Sequence, residues 1–147
     1  MGEALKARYS LNNAVVIPSN FTDSDLIRSV ISQRAADCIL SLISENDYSN
    51  IAFTWGRTLF DIISQLDIAK NDGLTAVPLV GAGDRTAPYY MINEMVRIAA
   101  DRLGAAPVYA YIPVHPESRE DAMLFKKPQH IEICRRCGMI SVLRWLE

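Results

Sequence analysis

The feature that most constrains this chain is a rhythm of short strand-like runs, each followed by a turn and then a helical stripe. Ile51-Ala-Phe-Thr54 leads through Trp55-Gly-Arg-Thr58 into Leu59, Ile62, Ile63 and Leu66, spaced at threes and fours. Thr75-Ala-Val-Pro-Leu-Val80 leads through Gly81-Ala-Gly83 into Ile92, Met95, Val96, Ala99 and Leu103, with Gly104 placed to close the helix. Val108-Tyr-Ala-Tyr-Ile112, stopped by Pro113, supplies a third strand. Strand, helix, strand, helix, strand at this spacing requires right-handed crossovers and therefore a parallel sheet. Residues 75–80 are apolar at successive positions, as a strand covered on both faces must be. The expected fold is α/β, an open parallel sheet with helices on both faces.

Flanking segments read less regularly. Ala14-Val-Val-Ile17 before Pro18 is a β-branched run expected as a strand, and Thr22-Asp-Ser-Asp25 has the form of a capping box. Behind it, Leu26, Ile27, Val30, Ile31, Ala35, Cys38, Ile39, Leu42 and Ile43 mark one broad apolar face of a long helix. Residues 119–137 read as one or two short helices broken at Pro128, and Met139-Ile-Ser-Val142 as a fourth strand. No internal repeat or low-complexity segment interrupts the 147 residues, which form a single expected domain, 1–147.

Composition removes several classes. Half the residues are hydrophobic and the net charge is −2, which excludes intrinsic disorder. No apolar run approaches the ~18 residues of a membrane span, and the start, Met1-Gly-Glu-Ala-Leu-Lys6, lacks the apolar core of a signal peptide. Three cysteines, Cys38, Cys134 and Cys137, without a secretory signal imply reduced thiols and a cytoplasmic protein. A sequence pI near 5.7 speaks against direct DNA contact, although residues 119–147 carry six Lys/Arg against four Asp/Glu. That excess is small enough for a solvated surface.

In open parallel sheets, ligands bind at the carboxyl ends of the strands. Three turns occupy that place here: 54–58, 81–86 and 113–118. The first leaves a strand and opens a helix. Gly56 permits close backbone approach, Thr58 brings a hydroxyl to the first helical turn, and Arg57 a charged fork suited to phosphate oxygens. The arrangement suits an anion, and equally a plain tight turn with Arg57 in water. It is not a Walker loop, because the required glycine and lysine spacing is absent. Gly81-Ala-Gly83-Asp84-Arg85-Thr86 places threonine where a dinucleotide fingerprint needs its third glycine, so no nicotinamide or flavin cofactor is implied. It remains a second turn facing the same crevice, with Asn93 and Glu94 early in the next helix, facing either the crevice or water. His130-x3-Cys134-x2-Cys137 aligns three soft groups at helical spacing, but a structural zinc needs a fourth ligand and no metal is expected. No nucleophile elbow or redox motif frames a catalytic residue.

With these residues in view, the chain resembles the effector domain of SorC-type bacterial transcriptional regulators, a group that includes many DeoR-named sugar regulators. Leu5-Lys-Ala-Arg-Tyr-Ser-Leu11 with Ala14-Val-Val-Ile-Pro-Ser19 is similar to the family's entry into that domain. Ile51-Ala-Phe-Thr-Trp-Gly-Arg-Thr-Leu59 is similar to its most distinctive motif, with Ala52 and Thr54 where Gly and Ser are common. Val77-Pro-Leu-Val-Gly-Ala-Gly83 and Ile92-Asn-Glu-Met95 match two further segments, so the likeness runs over about residues 4–126 in the family's order.

The resemblance implies a Rossmann-like, sugar-phosphate isomerase-like domain that binds a phosphorylated sugar without turning it over. Carried over by position, Trp55, Gly56, Arg57 and Thr58 form the phosphate cradle. Gly81, Ala82 and Gly83 form the second wall, with Asp84, Asn93 and Glu94 as further pocket residues. No helix-turn-helix precedes Met1, and the end from Cys134 to Glu147 departs from the family's continuation, so an incomplete effector domain that self-associates is expected. Two other functions share the fold. An isomerase-type enzyme would need a general base, for which Asp84, Glu94 or His115 are the candidates; a structural oligomerisation piece would need no ligand.

Overall fold

The structure, a computed structural model, describes residues 1–18, 20, 22–67, 72–82, 91–111, 113 and 117–124. The expected fourth strand, the histidine–cysteine cluster at 130–137 and the Pro128 break all lie outside the described residues. The chain divides into two compact units, Met1–Ile31 and Ser32–Glu147.

In the first unit, α1 (Gly2–Tyr9) ends where Ser10 adopts a left-handed φ of 53°, and the Ser10 N–H donates to the Lys6 carbonyl. Ala14–Ile17, expected as a strand, is not one. β-Branched residues favour extended backbone, but a strand also needs a neighbour for its hydrogen bonds, and none is present among the described residues. Instead, Val15, Val16 and Ile17 line an open apolar groove of about 360 Å³ with Ile27, Val30 and Ile31. α2 (Ser24–Glu45), which begins in the first unit and runs on into the second, starts one residue later than the capping-box reading implies. The Asp23 carboxylate, not the Thr22 hydroxyl, accepts the N–H bonds of Asp25 at 2.7 Å and Leu26 at 3.2 Å. A carboxylate at this place accepts both donors and also answers the positive end of the helix dipole.

The second unit holds the sheet. β1 (Asn50–Phe53), β2 (Thr75–Pro78) and β3 (Ala106–Pro107) are parallel and lie in the order β1-β2-β3. Residues Asn50 to Phe53 stand opposite Thr75 to Pro78, and Thr75 and Ala76 opposite Ala106 and Pro107. The third strand thus begins before the aromatic run that β propensity marks. Register with β2 decides its place: Ala106 N–H donates to Leu74 O and Val108 N–H to Ala76 O. Proline has no N–H to give a ladder, which keeps the strands short. The bonding resumes one residue past Pro78, where Leu79 N–H donates to Phe53 O at 2.7 Å.

Ala76 and Val77 point to opposite faces of β2, and both are buried, so the central strand is covered on both sides. α3 (Arg57–Ser64) and α4 (Ile92–Leu103) bridge successive strands in the same direction, and right-handed crossovers put them on one face, where they touch. α4 supplies Ile92, Met95, Val96, Ala99, Ala100 and Leu103 to the core, the full i, i+3, i+4, i+7 stripe. Ile63 and Leu66 join from α3 and its end, and Ala36 from α2, with Ile39, Leu40 and Ile43 half-buried beside it. Gly104 closes α4 with a left-handed φ of 62°, as its position in the sequence implies. The Arg102 guanidinium donates to Leu66 O at 3.2 Å, tying the end of α4 to the end of α3. A final helix, α5 (Arg119–Leu124), starts on the Ser118 hydroxyl, which accepts from Asp121 N–H.

Candidate functional site

The three strands run parallel and side by side, so the segments that follow them leave the same end of the sheet, and Thr54–Gly56, Leu79–Ala82 and Pro113 are the described parts of the first, second and third walls of the candidate crevice. The first wall is Thr54-Trp55-Gly56, running into α3. Gly56 sits at the N-cap with φ 148° and ψ 151°, a conformation that essentially only glycine adopts. From there the chain turns into the helix, with Phe60 N–H donating to Gly56 O at 2.9 Å. No side chain among the described residues caps this N-terminus, and the first turn holds no acidic residue. The leading N–H groups of Arg57, Thr58 and Leu59 therefore lack an intrahelical acceptor, and no acidic side chain of the first turn answers the positive pole of the helix dipole. Arg57 and Thr58 are exposed, Trp55 is 51% exposed, and Arg57 has no ion-pair partner among the described residues. A helix start of this kind favours an anion placed beside it.

The second wall follows β2. The bond from Leu79 N–H to Phe53 O sets it against the first wall, and Gly81 is buried while Ala82 is half-buried. Ala82 forms a parallel bridge with Pro113, which joins the second wall to the third. Gly83, Asp84 and His115 lie outside the described residues. The described strands run in consecutive order, so the crevice is defined by adjacent strand ends and not by a reversal of strand order.

Asn93 and Glu94, neighbours on the first turn of α4, are used differently. The Asn93 amide pairs twice with the backbone of one residue: its Nδ2 donates to Ala110 O at 2.8 Å, and its Oδ1 accepts from Ala110 N–H at 2.9 Å. Glu94 is held by Arg97, whose Nε and second guanidinium nitrogen donate to its two oxygens at 2.9 and 2.7 Å. Arg97 also donates to Asp101 at 2.6 Å. The hydrogen bond from Arg97, reinforced by its charge, holds the Glu94 carboxyl below its ordinary value, and Glu94 in turn raises that of Arg97. The Ala110 contact is the part of the site that sequence reasoning missed. Its partners stand 17 residues apart and one of them is backbone, so no motif marks it.

A family model described as "Putative sugar-binding domain" matches residues 1–136. A comparison with the curated proteins found no match. Among solved structures, the chain is similar to the full-length sorbitol operon regulator SorC from Klebsiella pneumoniae, with 23% identity and a TM-score of 0.82 over 92% of this chain and 44% of that one. It is also similar to a DeoR family transcriptional regulator from Listeria monocytogenes, with 18% identity and a TM-score of 0.81 over 92% of this chain and 52% of that one. A transcriptional regulator from Streptococcus pneumoniae TIGR4 gives 20% identity and a TM-score of 0.79 over 95% of this chain and 52% of that one. The chain spans about half the length of these structures. At these identities the structural likeness establishes the fold, and the family model establishes the kinship. The chain belongs to the sugar-binding domain family, and its fold is the one that SorC- and DeoR-type transcriptional regulators carry.

Proposed function

We propose that this domain is the effector module of a cytoplasmic transcriptional regulator and binds a phosphorylated sugar without transforming it. The carrying observation is the open N-terminus of α3 behind Gly56, uncapped and free of acidic residues, with Arg57 beside it. Trp55, Gly56, Arg57 and Thr58 are assigned to the phosphate, and Gly81 and Ala82 to the wall against which the sugar lies. Gly83 and Asp84 continue that wall in sequence. A net charge of −2 suits a small anionic ligand held by a local positive site better than a DNA duplex.

The absence of turnover is part of the proposal. An isomerase needs a base that accepts a proton near neutral pH, and of the candidates Glu94 is ion-paired and held ionised by Arg97. The module is further proposed to self-associate. β1 has one ladder neighbour among the described residues, and Val15, Leu26 and Ile31 are exposed apolar side chains.

Equilibrium titration with hexose phosphates, the matching free hexoses and inorganic phosphate tests this reading. The expected result is saturable binding of a phosphorylated sugar, none of its free form, and recovery of the sugar unchanged. Conversion of the sugar to an isomer would replace the effector reading with the enzyme reading.

A further inference from the structure

We propose that Asn93 is a positioning residue of the crevice: its amide locks the first turn of α4 to the segment that follows the third strand and so sets the wall against which the sugar rests. This rests on the phosphorylated-sugar reading for the identity of the ligand, while the lock itself is read from geometry alone.

Among the described residues, the last ladder bond beyond β3 is Val108 N–H to Ala76 O, and the next tie to the sheet is the bridge of Pro113 to Ala82. Between those anchors, Ala110 is fully buried, so both polar groups of its backbone need a partner other than water. Asn93 satisfies both, at 2.8 and 2.9 Å, in the two-point manner of a neighbouring strand. Asparagine is the shortest side chain that offers a donor and an acceptor in one plane. Asn93 is also the second residue of α4, and α4 follows the second wall in sequence. One amide therefore joins the first turn of α4, which follows the second wall in the chain, to the segment that leads from β3 to Pro113, and the Ala82–Pro113 bridge is a second tie between the same walls. The first wall takes no part in this lock.

That division makes a specific demand. A ligand touching only the α3 N-terminus should not sense the lock, whereas one with a sugar against the second and third walls should. Asn93→Leu keeps the approximate volume and removes both hydrogen bonds. Asn93→Asp keeps the acceptor for Ala110 N–H and sets an oxygen against Ala110 O. Ile63→Val, in the core of α3, serves as a control that lowers stability without touching the lock.

The experiment measures dissociation constants of inorganic phosphate and hexose 6-phosphates by NMR titration of all four proteins, together with amide exchange at Ala110. Asn93→Leu is expected to weaken the hexose phosphate about tenfold, the size of one lost buried hydrogen bond, and to leave inorganic phosphate unchanged. Ala110 exchange should accelerate while the Ile63 amide keeps its protection. Asn93→Asp should keep Ala110 N–H protected and still weaken the hexose phosphate, which preserves the test if Asn93→Leu does not fold. Ile63→Val should leave the ratio of the two constants alone. Equal weakening of both probes, or no change in the hexose phosphate constant, overturns the positioning role. A wild type that binds neither probe overturns the phosphorylated-sugar reading itself and the positioning role with it, a result distinct from wild-type binding that Asn93→Leu leaves intact.

Discussion

At the scale of single residues, the account turns on a few positions whose surroundings make opposite demands. Gly56 occupies a backbone region closed to other residues, yet a Cβ built there meets nothing within 4 Å. Gly56→Ala should therefore cost about 1–3 kcal/mol through backbone strain alone, read as a lower melting temperature of the free domain. Ser32 shows the reverse case. Its hydroxyl is buried, 1% exposed, with no hydrogen-bond partner among the described residues, and Ser32→Ala should raise stability by about 1 kcal/mol in a denaturant titration. Glu94 supplies a pH signature. Because its carboxyl titrates below the ordinary value of 4.5, its pairing with Arg97 stabilises the fold above that value and is lost as pH falls through the lowered one. Glu94→Gln should thus lower the melting temperature at neutral pH and converge with wild type in acid. The side chain is 41% exposed, so solvent screening limits the difference to about 0.5 kcal/mol.

At the scale of elements, what could be read from the sequence and what could not divides along physical lines. α4 was legible because its apolar stripe, its glycine cap and its length all agree, and burial of the same residues follows. Met95 is fully buried in that stripe, and Met95→Ala should cost about 2–5 kcal/mol in chemical denaturation. The turn from β1 into α3 was legible for the same reason: Gly56 and the uncapped helix start are local features. α1 was not, because Glu3, Lys6 and Arg8 leave it without an apolar face. The start of α2 slipped from Thr22 to Asp23 because the run of four capping residues, Thr22 to Asp25, offers several equivalent starts. β3 was misplaced because propensity favours Val108–Ile112, whereas register against Leu74 and Ala76 selects Ala106–Pro107. The Asn93 lock was invisible for a deeper reason, since its partner is the backbone of one residue, which any residue but proline could supply.

At the scale of the whole molecule, the central strand is covered on both faces, while β1 keeps one edge without a strand among the described residues. Sedimentation velocity should therefore show a species larger than 16.4 kDa, and a monodisperse monomer would contradict self-association. No helix among the described residues is long and apolar enough to cross a membrane. The central claim concerns the ligand, and thermal melting addresses it directly. Phosphorylated sugars, each paired with its free form, are added to wild type and to Arg57→Ala, whose exposed side chain has no ion pair to lose among the described residues. At about 100 times its dissociation constant, a ligand adds roughly 2.7 kcal/mol, a shift that melting resolves. The account predicts that a phosphorylated sugar raises the melting temperature, that its free form does not, and that Arg57→Ala abolishes the shift with little change in the free protein. Equal shifts from both forms of the sugar, or a shift that survives in Arg57→Ala, would contradict it.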